Sequence, residues 1–171
     1  MLSGGAMQQI NKNQGFTLIE LMVTIAVMAI IAMMAAPSFG NLIQKQNLNR
    51  STQELIGQLN NARSKAVLER RNVEVVLAFN SSAVQVADTP EKLNWYPSGK
   101  AVLKTGSVDS IFFGISGGVF INNPSDATRK IPATTDTVFT VCNLDIKNEK
   151  NAKTITVSRM GTIQPTVDGT C

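Results

Sequence analysis

Residues 15–37 read GFTLIELMVTIAVMAIIAMMAAP. Between 16 and 36 the only charge is Glu20. As an α-helix this run would extend about 30 Å, the hydrocarbon thickness of a bilayer. The polar segment before it, Met1 to Gly15, carries one basic residue, Lys12. The positive-inside rule therefore holds that end in the cytoplasm and sends the rest of the chain outward. A cleavable secretory signal is the main competitor, but it wants a shorter apolar core followed by an Ala-x-Ala triplet. The nearest match, Met34-Ala35-Ala36, has a bulky outer residue and Pro37 directly after it. Met7 offers a second start, MQQINKNQG, beside Met1.

Glu20 is the odd residue of the run. An acidic side chain in the apolar part of a membrane costs about 2.5–3.5 kcal/mol unless something compensates. If the chain were cut between Gly15 and Phe16, the new α-amino group of Phe16 would be a positive charge at nearly the same depth. The two would pair, within one chain or between neighbours. Pro37 removes a backbone donor and disfavours helix at Ala36, so a kink or a simple end to the span is expected there.

Outward from this run the composition changes. Residues 41–71 contain no proline and place Leu48, Thr52, Leu55, Leu59, Ala62 and Ala66 at spacings of four and three. Gln44, Lys45, Asn49, Arg50, Gln53, Asn60 and Arg63 lie off that stripe. The pattern predicts an amphipathic helix whose apolar stripe must be covered. From Asn72 onward short β-rich runs take over, at 73–79, 83–87, 110–113, 118–121, 137–142, 154–158 and 162–164. Asn80-Ser81-Ser82 and Ser116-Gly117-Gly118 are the hairpin candidates, and 88–109 and 122–136 read as longer loops. The expected fold is α+β: a long N-terminal helix, half hydrophobic stem and half amphipathic, packed on an antiparallel β-sheet head. The expected segments are a leader at 1–15, the stem at 16–36, the amphipathic helix at 37–71 and a globular head at 72–171.

Composition narrows the function. The chain has no histidine, which removes the commonest general base, the usual zinc ligand and every Ser-His or Cys-His nucleophile pair. No catalytic residue, metal ligand or cofactor site is expected. A net charge of +4, from 16 basic and 12 acidic residues dispersed along the chain, is weak evidence for nucleic acid. The two cysteines are Cys142 and the last residue, Cys171. Outside the cytoplasm a bridge would pin the terminus, and a loop of this length would stabilise the fold by ~3–4 kcal/mol; in a reducing compartment both would be thiols.

Gly15-Phe16-Thr17-Leu18-Ile19-Glu20 resembles the prepilin peptidase site of type IV pilins and type II secretion pseudopilins. The resemblance implies cleavage after Gly15, N-methylation of Phe16, and a Glu20 carboxylate that meets the Phe16 amine of a neighbouring subunit during assembly. Pro37 falls where that family often bends its helix. Ala62-Arg63-Ser64-Lys65-Ala66-Val67, with Arg70-Arg71-Asn72-Val73, is similar to the helix end of the FimT, FimU and GspH minor pilins. Ile111-Phe112-Phe113 before Gly117 and Gly118, Cys142 in a late strand, and the segment Thr154 to Gly161 fit the same group.

DNA-binding members of that group resemble FimT and carry a Gly-Arg-x-Arg sequence near the C-terminus, whereas this chain has Gly161-Thr162-Ile163-Gln164, with Arg159 the only basic residue nearby. The FimU branch is therefore the nearer resemblance. It implies a minor pilin of a type IV pilus, anchored in the bacterial inner membrane with its head in the periplasm, then moved into the filament. Its implied partners are prepilin peptidase, the inner-membrane assembly platform and other pilins met through the N-terminal helix. Twitching motility, adhesion and DNA uptake are the processes such a subunit supports. A type II secretion pseudopilin, a DNA-binding competence pilin and a membrane-tethered enzyme are the alternatives. Arg63, Lys65, Arg70 and Arg71 read as a solvated helix end before they read as a nucleic-acid patch, and Trp95-Tyr96 as a pair packed on its own domain.

Overall fold

The computed structural model describes residues 15–123, 125–145 and 151–171, without the side chains of 34–38, 127 and 128. The leader up to Gln14, with Lys12 and both candidate starts, lies outside the described residues. Among the described residues one helix, α1 (Leu18–Leu68), is followed by nine strands: β1 (Val73–Leu77), β2 (Lys92–Trp95), β3 (Ala101–Leu103), β4 (Ser110–Phe113), β5 (Val119–Asn123), β6 (Asp126–Pro132), β7 (Thr137–Asn143), β8 (Ala152–Val157) and β9 (Val167–Gly169). The chain divides into two units between Ser38 and Phe39.

In the first unit, every described position from 15 to 33 is exposed. Among the described residues no helix is long and apolar enough to cross a membrane. The apolar run described with its side chains, Leu18–Met33, reaches about 24 Å at the rise of an α-helix, short of the ~30 Å of a bilayer core. The helical assignment is continuous across Pro37. The kink expected there involves side chains outside the described residues.

The second unit is held by the predicted stripe. Leu48, Thr52, Leu55, Leu59, Ala62 and Ala66 are all buried, as their spacing on one helical face requires. Opposite them lie two sheets, one of five strands in the order β2-β1-β4-β5-β6 and one of four in the order β3-β7-β8-β9. Strand β1 alternates buried and half-buried residues, so Val73, Val75 and Leu77 face inward. Trp95, Phe113, Phe139 and Ile155 complete the core. The sheets meet where the Leu103 N–H donates to the Phe79 carbonyl at 2.8 Å and Asn80 bridges Val102.

Several boundaries differ from expectation. The sequence suggests a single sheet; there are two. Strands β2 and β3 lie within the expected 88–109 loop, and β6 within the expected 122–136 loop. The first two are three or four residues long and flanked by Pro90, Pro97 and Gly99, so their alternation is too short to stand out. Strand β6 carries Arg129, Lys130 and Pro132, the residues used to blunt a sheet edge, so it lacks an apolar rhythm.

Conversely, 83–87 reads Ala-Val-Gln-Val-Ala, a β-rich composition, yet is no strand, with Val84 and Val86 exposed. It forms no hairpin with β1. The segment 78–91 is instead the crossover that lets β2 run parallel to β1. Ser116-Gly117-Gly118 does turn a hairpin, between β4 and β5.

Candidate functional site

The segment from Gly15 to Glu20 is built around a helix start. Gly15, Phe16 and Thr17 precede α1, and Leu18 is its first residue. The Thr17 carbonyl accepts the Leu21 N–H at 3.2 Å, and the Thr17 hydroxyl accepts the Glu20 N–H at 3.3 Å. Thr17 is therefore the N-cap and Glu20 the third helical residue, the two ends of a Thr-x-x-Glu capping pattern. That position also sets the Glu20 carboxylate against the positive end of the helix dipole. This local role is readable in the sequence from Thr17 and Glu20 standing three positions apart. The Gly15–Phe16 bond lies before the helix and is open: Phe16 is 82% exposed, and a side chain added at Gly15 would meet nothing within 4 Å.

At the other end of the chain, Cys142 and Cys171 are joined in a disulfide, with Cα atoms 6.0 Å apart. The terminus is held three ways. Strand β9 pairs with β8, the Cys171 N–H donates to the Asn151 side chain at 2.9 Å, and the sulfurs tie it to β7. Of the two alternatives the cysteines left open, the structure holds the bridge.

The basic residues at the end of α1 have local partners. Arg63 donates to the Met160 carbonyl at 3.3 Å, and Arg71 pairs with Glu69. Arg70 adopts the left-handed region at φ 50°, and the Arg71 N–H reaches back to the Ala66 carbonyl at 3.2 Å. These bonds make a Schellman ending with Arg70 at the position where glycine is usual. Further back, the exposed Arg50 donates to Glu54 at 2.7 Å, and this hydrogen bond and the carboxylate charge raise the Arg50 pKa from an already high value.

Trp95 packs in the core and donates its indole N–H to the Ser51 carbonyl at 3.0 Å, as expected of an aromatic that belongs to its own domain. The Tyr96 hydroxyl accepts the Val86 N–H at 2.7 Å and lies 3.2 Å from the Val84 carbonyl. Asn143 carries a tie that sequence reasoning missed. It is fully buried on β7 and donates to both the backbone carbonyl and the side-chain oxygen of Gln44, at 3.2 and 2.9 Å. Among the described residues no three His, Cys, Asp or Glu side chains converge as a metal site.

Residues 10–36 match the family model described as the prokaryotic N-terminal methylation motif. Two crystal structures of the type IV minor pilin FimU of Pseudomonas aeruginosa strain PAO1 are similar to this chain. The P21 form is 18% identical, covering 72% of this chain and 90% of that one with a TM-score of 0.49. The P65 form is 19% identical, covering 68% and 90% with a TM-score of 0.46. No curated protein matches the chain with significance.

Proposed function

We propose that this chain is a minor pilin of a type IV pilus, a subunit that works by assembly and not by turnover. The observation that carries the proposal is the methylation motif at 10–36, which leads into an apolar helix exposed at every described position from 18 to 33. Apolar surface of that extent needs a cover. In the precursor, the run 16–36 sits in the bacterial inner membrane with the head in the periplasm. After prepilin peptidase cuts behind Gly15 and Phe16 is methylated, the stem moves into a filament where neighbouring stems bury one another.

Glu20 has two roles in this scheme. It supports the helix start with Thr17, and its charge meets the Phe16 amine of a neighbouring subunit and sets the register. The substitution Glu20→Gln separates them, because glutamine also serves at the third position of a capping pattern but carries no charge. Membrane insertion of the variant is expected to be normal and its recovery in sheared filaments to fall by about tenfold, a factor equivalent to ~1.4 kcal/mol. Normal recovery would remove the charge-pairing role. DNA binding is the weaker reading: Arg63 and Arg71 are engaged with groups of their own domain, and phosphate contact needs cations turned outward.

A further inference from the structure

The foot of the second unit carries apolar side chains in solvent. On α1, Phe39, Leu42 and Ile43 are each half or more exposed. Leu144, just after β7, is 70% exposed. Its neighbours fix its place. Asn143 donates to the carbonyl and side-chain oxygens of Gln44, and Asp145 pairs with Lys100. The turn before Lys100 touches the helix as well, since a side chain at Gly99 would collide with Asn47. These segments meet at one level of α1, and around it Phe39, Leu42, Ile43 and Leu144 stay outside the core.

Distance decides what lies there before assembly. Under the proposed scheme the hydrocarbon layer of the membrane ends near Ala36. A helix rises about 1.5 Å per residue, so Phe39 lies at most about 4.5 Å beyond Ala36, Ile43 about 10 Å and Gln44 about 12 Å. A bilayer with ~30 Å of hydrocarbon measures ~40–45 Å with its headgroups, which leaves roughly 5–7 Å of polar layer on each side. The foot therefore begins inside the headgroup layer and ends about one side-chain length from it. Apolar side chains with a lysine among them are suited to that boundary, where the hydrocarbon part is covered and the ammonium stays wet.

The charges at this level favour the same occupant. Lys45 and Lys153 line a groove with Leu48 and Asp168, and Lys153 pairs with Asp168 at 2.8 Å. With the pair of Lys100 and Asp145, three lysines stand here against two aspartates. Anionic phospholipids attract such an excess. We infer that the foot of the head rests in the phospholipid headgroup layer before assembly, with Leu144 as its apolar contact and Lys45 as its cation; this rests on the pilin reading. The consequence is orientation. A head joined to the membrane by its stem alone is free to swing, whereas stem and foot together hold it at one tilt, and the foot must leave the lipid when the stem moves into a filament.

The test places a photoreactive amino acid at Leu144 in the full-length chain, reconstituted in vesicles of phosphatidylethanolamine and phosphatidylglycerol in equal parts. Met160 is the control position. It is 73% exposed, and its carbonyl accepts from Arg63, about 28 Å along α1 from Gln44. Cross-linked products are identified by mass spectrometry. The expected result is a lipid product from position 144 about tenfold above that from position 160. With the probe at 144, Ile43→Gln should lower the lipid yield about threefold and Lys45→Glu about twofold.

Equal lipid yields at both positions, a product at 144 joined mainly to a second protein chain, or no response to either substitution would overturn the inference. Flotation of the same samples separates the two failures. A chain that floats with the vesicles and resists alkaline extraction, yet gives no lipid product at 144, leaves the pilin reading standing and removes the resting foot. A chain that does not enter the vesicles removes both.

Discussion

The two halves of α1 are one element by backbone and two by chemistry. From Leu48 to Ala66 the apolar residues other than the half-buried Ile56 sit on one stripe, and each of these is buried under the sheets. From Leu18 to Met33 apolar residues occupy nearly every position, and all are exposed. A stripe is what a helix needs when one side is covered by its own chain; an apolar surface all round is suited to cover on every side. The second half finishes folding within the molecule, while the first has no cover at any described position from 18 to 33. The polar residues mark the same division. In the head half, Ser51 is fully buried, donating to the Asn47 carbonyl and accepting the Ser98 N–H, both at 2.8 Å. In the stem, Glu20 has its helix-start role and a charge whose partner lies in another molecule under the proposed scheme.

The comparison can be broken by changes that should act on one half alone. The largest effect is expected from replacing both cysteines, Cys142→Ala with Cys171→Ala. Opening a loop of separation 29 should cost the head ~3–4 kcal/mol, seen as a fall in Tm of about 10 °C or more, with helix content in the stem unchanged by circular dichroism. Next comes the paired test of Leu59→Ala and Ile25→Ala in the full chain. Leu59 is fully buried, so its truncation should destabilise the head by about 3 kcal/mol in denaturant unfolding. Ile25 is 60% exposed, and its truncation should leave the head transition where it was. An equal loss from both would mean that the stem is part of the head's cooperative unit. The smallest effect sharpens the boundary at the end of the helix. Arg70→Gly should stabilise the head by about 1 kcal/mol, since glycine adopts φ 50° without the cost a side chain incurs.

What could be read in the sequence follows from how far each signal extends along the chain. The stripe from Leu48 to Ala66 repeats over several turns, so its period was plain and every member is buried. The Gly15-to-Glu20 motif is contiguous and was plain for the same reason. Strand β4 stood out because Ile111, Phe112 and Phe113 form an apolar run; Phe112 is covered on its outer side too, with Lys130 over its ring at 3.8 Å.

The features that were missed depend on partners distant in sequence. Strand β2 is Lys-Leu-Asn-Trp, half polar, and becomes a strand because Leu93 and Trp95 reach the core beside β1. The valines at 84 and 86 look like a strand but find no such cover. The division into two sheets, and the tie from Asn143 to Gln44 across 99 positions, have no local signature at all. In the candidate site, the residues were legible and the cap was not drawn from them, although Thr17 and Glu20 stand at the right spacing.

The central claim is that the stem is exposed in the single chain because it is made for assembly after a cut at Phe16. The most direct measurement is the intact mass of the protein from isolated membranes and from sheared filaments, read together with its N-terminal residue. The account predicts a chain in the filaments that begins with N-methyl-Phe16 and keeps its cysteines bonded. A chain that retains residues 1–15, or is cut elsewhere, and never enters filaments would contradict it.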